Sequence, residues 1–127
     1  MASALSSKIF FPKLNMPIRL SQHAALRLKQ RAGLNSKKRR TEFLKKVAKS
    51  ALTLSDIPLN EEFSPLIIYL RQVYKKVRKK NIYCMIYLYQ QYIFIVSVDS
   101  VIITVITVEE PYEKSYQRVK EFINKNQ

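Results

Sequence analysis

Three side chains at equal intervals, His23, Arg27 and Arg31, have the types needed to handle a phosphate. A spacing of four keeps them along one helical face, drifting by roughly 40° per step. Two guanidiniums can hold non-bridging oxygens and offset the charge that builds on a pentacoordinate transition state. An imidazole beside them can move a proton to or from a ribose hydroxyl near neutral pH. On spacing alone the plainer account is preferred: a lone His on a helix is usually an ordinary surface residue, and arginines one and two turns on merely solvate the helix.

The remaining cations fall into two clusters suited to grip rather than chemistry. Lys37, Lys38, Arg39, Arg40, Lys45 and Lys46 form one, and Lys75, Lys76, Arg78, Lys79 and Lys80 form the other. Each alone reads as a solvated helix face. Together, with few acids nearby, they favour neutralising phosphates, with a steep dependence on salt. The whole chain of 127 residues has a formal net charge of +14. Residues 1–50 hold thirteen Lys or Arg against the single acid Glu42, whereas the rest is close to balanced. A field of that sign concentrates polyanions and speeds encounter with them. Nucleic acid is the expected partner, with RNA preferred.

Composition excludes other chemistry. One cysteine, Cys84, allows no intramolecular disulfide and fits a reducing compartment such as the cytoplasm. One histidine and one cysteine cannot furnish a structural zinc site, so neither metal nor cofactor is expected. Residues 1–15 contain two lysines and no acid, and lack the long apolar core of a secretory signal. They suit a transit segment or, preferred here, a basic leader ahead of a single domain spanning 16–127.

The elements that must carry these residues follow from pattern. Ser21 caps a helix that runs to about Arg31, and Gly33, the one glycine, stands where a helix stop is expected. Asn35 or Ser36 caps a second helix with the apolar stripe Phe43, Leu44, Val47, Ala48, Ala51 and Leu52. After a loop over 53–63, Ser64 as N-cap and Pro65 at the first position open a third, with Leu66, Leu70, Val73 and Val77 inward.

The period then changes. Residues 82–108 are dense in Ile, Val, Tyr and Phe, broken at Gln90-Gln91 and Asp99-Ser100, and read as three strands at roughly 82–89, 92–98 and 101–108. Those breaks leave no uninterrupted apolar span of about 20 residues, so no membrane span or membrane partner is expected. Ile82, Cys84, Ile86 and Leu88 should face the helices. Tyr83, Tyr87 and Tyr89 lie on the other side, where they either stack on bases or, preferably, are covered by a last helix opened by Pro111. The expected fold is α+β: N-terminal helices on an antiparallel meander of three or four strands, closed by a C-terminal helix. An open edge on such a strand-rich segment is a route to a homodimer.

His23-Ala24, Arg27 and Arg31 on an early helix, followed by a meander with Ile102-Ile103-Thr104-Val105 and a turn at Pro111, resemble small bacterial and phage-borne domains. These are linked to the barnase–EndoU–colicin–RelE superfamily of metal-independent ribonucleases and toxins. The resemblance spans most of residues 16–112 and rests on short motifs and element order. It implies RNA cleavage by attack of the 2′-hydroxyl on the adjacent phosphate, with His23 as base or acid. Arg27 and Arg31 would then stabilise the phosphorane, and Thr104 would orient it, with Thr107 on the opposite face as fallback. It also leaves room for an acidic partner protein of the antitoxin or immunity kind. In one respect the chain departs from those domains: they tend to have a glycine in the meander, and here none follows Gly33. The competing functions are a non-catalytic nucleic-acid-binding protein of a mobile element using the same basic face, and an inhibitor or ribosome-associated accessory.

Overall fold

The computed structural model describes residues 2–80 and 83–126. Among these residues four α-helices and five strands form three layers, with the sheet in the middle. The strands are β1 (Ala2–Ala4), β2 (Arg19–Ser21), β3 (Cys84–Tyr89), β4 (Tyr92–Ser97) and β5 (Val101–Thr107). The helices are α1 (Gln22–Ala32), α2 (Lys37–Ser50), α3 (Ser64–Arg78) and α4 (Ser115–Lys125).

The α+β class and the meander β3-β4-β5 are as expected, but the sheet is larger and mixed. Its order is β1-β2-β5-β4-β3, with β2 parallel to β5 and β1 antiparallel to β2. The two extra strands are three residues each, and Ala2-Ser3-Ala4 has none of the β-branched or aromatic content that marks a strand in sequence. Residues 2–15, set apart in sequence as a leader, are built into the domain. Ile9 and Phe11 are buried in the core, and the Ile18 amide donates to the Ile9 carbonyl. Phe11 meets Tyr87 edge-on, with ring centroids 5.1 Å apart, and the Tyr87 hydroxyl donates to the Pro12 carbonyl.

Both faces of the sheet are covered, as preferred for the tyrosine row, but the covering elements differ from those expected. Tyr87, Tyr89, Phe94, Val96 and Val105 pack with Ala24 and Leu28 of α1 and Leu44 and Val47 of α2. Cys84, Ile86, Leu88, Ile93 and Ile95 pack with Leu66 and Leu70 of α3 and Val119 of α4. The tyrosine row is therefore covered mainly by the N-terminal half rather than by α4, although Tyr116 of α4 tilts against Tyr89. Tyr83 breaks the row: it precedes β3, is 68% exposed, and lies under the Arg78 guanidinium at 4.1 Å. Ile82 lies outside the described residues.

Local signals set most boundaries. The Ser21 hydroxyl accepts from the Ala24 amide, Ser36 does the same for Arg39, and Gly33 closes α1 at φ 67°, a left-handed conformation that suits a residue without Cβ. Leu52 leaves the α2 stripe altogether, exchanging both backbone hydrogen bonds with Leu88 and covering that part of the β3 edge. Two expected starts move. Ser64 is already helical, its hydroxyl bonded to the Asn60 carbonyl, so Phe63 occupies the cap position. Pro111 sits in a short 3-10 turn, Glu110–Tyr112, and α4 begins four residues later. The turns of the meander manage without glycine by placing Gln90 (φ 53°) and Ser100 (φ 66°) in the left-handed region.

Candidate nucleic-acid interface

The row His23, Arg27, Arg31 exists, but its members have separate occupations. His23 is exposed, and its Nε2 accepts from Arg27 Nε at 3.4 Å, a long contact. Arg27 also reaches Gln30 Oε1 at 2.9 Å. Arg31 turns toward the sheet and donates to the Val105 carbonyl at 2.5 Å. The reason is topological. β2 pairs with β5 only at Val101 and Ile102, and beyond that point α1 flanks the β5 edge. The Ser21 hydroxyl takes the Ile103 carbonyl at 2.9 Å and Arg31 takes that of Val105, so the cap of α1 and a side chain of its last turn continue what the strand began.

Thr104 is placed elsewhere. It pairs with Ile95, on the face covered by α3 and α4, whereas α1 packs its buried residues on the other face. Among the described residues no hydrogen bond links Thr104 with His23, Arg27 or Arg31. Thr104 therefore lies on the face opposite the one that the buried residues of α1 pack against. Thr107 pairs with Tyr92, on the face that α1 and α2 cover, and so stands opposite Thr104 as expected; as the last residue of β5 it also reaches the rim of the groove that Thr104 lines.

The basic cluster of α2 is a continuous exposed surface. Lys37, Lys38, Arg39, Lys45, Lys46 and Lys49 all face solvent, and none has a carboxylate within 4 Å among the described residues. Glu42 is the one acid on the helix. Burial of Leu44 and Val47 fixes which side of α2 faces out, and the cations occupy what remains. Arg40 is an exception to the expected cluster. It is half-buried, with one terminal nitrogen on the Leu34 carbonyl at 3.3 Å and its Nε buried without a partner, so it packs the α1–α2 junction rather than facing a ligand.

The second cluster, Lys75, Lys76, Arg78, Lys79 and Lys80, ends α3 on the opposite side of the sheet. Cations there suit the helix dipole. Lys76 and Lys80 also line a groove of about 450 Å³ between α3 and β5, with Thr104, Thr107 and the stacked pair Tyr69–Tyr112. The groove has no counterpart in the sequence expectations, although the continuation of Tyr69, Gln72 and Val73 into Lys76 and Lys80 at helical spacing was there to be read.

Ionisation elsewhere follows burial. The Tyr87 phenol is pushed up to about 12 by burial, with a smaller contribution from the Asp56 charge. Burial also raises the Cys84 thiol, against the opposing charge of Arg78, which marks an inert structural cysteine. Among the described residues no three His, Cys, Asp or Glu side chains come together as a metal site, and no helix is long and apolar enough to cross a membrane. No protein-family model, curated protein or solved structure matches the chain.

Proposed function

We propose that this protein binds nucleic acid without cleaving it, gripping the phosphate backbone through the exposed cations of α2, with RNA preferred on the strength of the family resemblance. The observation that carries this reading is the α2 surface: six solvent-facing cations on one helix, none of them engaged by a carboxylate among the described residues. Unpaired charge of this kind releases counterions from a polyanion without first breaking an ion pair of its own. It also needs no juxtaposition of His23 with Thr104, which metal-independent cleavage by the expected route does need.

Incubation of the protein with a mixed pool of single-stranded RNA in EDTA tests the reading. The expected result is saturable binding with RNA recovered intact, and the same affinity for His23→Ala. Cleavage that disappears in His23→Ala would replace it with the ribonuclease reading, in which His23 exchanges the proton and Arg27 steadies the phosphate. Binding no stronger than that of an unrelated protein of equal charge would favour an interaction protein instead.

A further inference from the structure

The groove between α3 and β5 has two chemically different ends. One stripe of α3 lines it, running from Tyr69 through Gln72 and Val73 to Lys76 and Val77, a length of about 12 Å at the helical rise, with Lys80 just past the helix end. Tyr69 fixes one end: its hydroxyl accepts from the Glu109 amide at 3.1 Å, just past β5, and its ring stacks on Tyr112 with centroids 4.4 Å apart and planes within 9°. That end presents an aromatic surface and the exposed Glu109 carboxylate. The other end presents two exposed ammonium groups one helical turn apart, Lys76 and Lys80, neither held by a carboxylate among the described residues. Between them the floor is apolar, from Val73, Val77 and Ile106, with Thr104 on the β5 side and Thr107 at the end of that strand.

We infer that this groove is a nucleotide subsite. A nucleotide has the same division: a flat base with polar edges at one end and a phosphate at the other. The ammonium pair takes the phosphate, because Glu109 repels it from the far end. The base lies toward Tyr112, where an aromatic face stacks on any base and the carboxylate accepts from an exocyclic amine such as the N4 of cytosine. The volume lies within the range of pockets that hold small ligands. The inference rests on the nucleic-acid reading above but uses residues from the opposite face of the sheet, so the two fail separately. The nucleotide is either free or one unit of a strand.

Calorimetric titration of the full chain with cytidine monophosphate, uridine monophosphate and a four-nucleotide cytidine RNA tests this. The expected result is one saturable site that prefers cytidine to uridine. Lys76→Gln with Lys80→Gln should weaken it by about tenfold, the equivalent of ~1.4 kcal/mol. Lys8→Gln with Lys29→Gln should leave it unchanged, and Glu109→Gln should erase the base preference. Tighter binding of the tetranucleotide that the Lys76→Gln, Lys80→Gln variant loses assigns the groove to a strand, and tetranucleotide binding unaffected by that variant assigns it to a free nucleotide. Absence of saturable mononucleotide binding, with long RNA still bound, overturns the subsite and spares the α2 surface. Equal weakening by both lysine pairs also overturns it, since only general charge would then be at work. Mononucleotide binding without long-RNA binding keeps the groove and removes the α2 reading. All four lysines are exposed, so their replacement leaves the core intact.

Discussion

Arg31 donates from its guanidinium to the backbone carbonyl of Val105, across 74 residues of sequence, and so ties the end of α1 to the edge of β5. A residue whose type and spacing suit a phosphate ligand is thereby committed to the fold. Arg31→Ala should destabilise the protein by about 1–2 kcal/mol, the worth of a charge-assisted hydrogen bond to backbone. Arg27→Ala, whose contacts are local to the helix surface, should stay within about 0.5 kcal/mol of wild type. Urea unfolding midpoints measure both, and equal effects would remove the distinction.

Phe11 lies 1% exposed against Tyr87 and Phe94, so with Ile9 it anchors the segment ahead of β2 in the core. Phe11→Ala should cost about 3–5 kcal/mol, in line with other buried Phe truncations. A thermal melt with an unchanged midpoint would mean that this segment contributes nothing to the folded state.

Legibility in sequence followed the strength of local signals. Ser21, Ser36 and Gly33 act through their own backbone neighbourhood, and the helices they bound are where capping rules put them. The strands of the meander are legible because Ile, Val, Tyr and Phe repeat over six or seven residues. β1 and β2 are not, because their pairing with each other and with β5 is decided by long-range packing around Ile9, Phe11 and Ile18 rather than by composition. The candidate site suffered from the same limit. Periodicity correctly aligns His23, Arg27 and Arg31, but which face of the sheet receives Thr104 depends on β5 pairing and on the register shift at Ile95–Val96. Arg40 fits the same pattern: its charge is visible in sequence, and its partner, the Leu34 carbonyl, is visible only in the fold.

Stability should fall at high pH through Tyr87. Its folded pKa of about 12 lies above the ordinary phenol value of 10, so the stabilisation is fully present below pH 10 and is lost as pH rises toward 12. The loss should reach on the order of 2 kcal/mol. Denaturation midpoints measured from pH 8 to pH 12 should decline over that window for wild type and decline less for Tyr87→Phe, which has no phenol to ionise. A parallel decline in both proteins would assign the effect to other groups.

The central claim is that exposed α2 cations hold nucleic acid by its phosphates. Its most direct test is the salt dependence of single-stranded RNA binding for wild type and for the triple variant Lys45→Gln, Lys46→Gln, Lys49→Gln. Each lost phosphate contact should reduce the slope of log K against log salt by about 0.7, so the triple variant should lose about 2 from the slope, with weaker binding at low salt. An affinity and a slope both unchanged in that variant would contradict the claim.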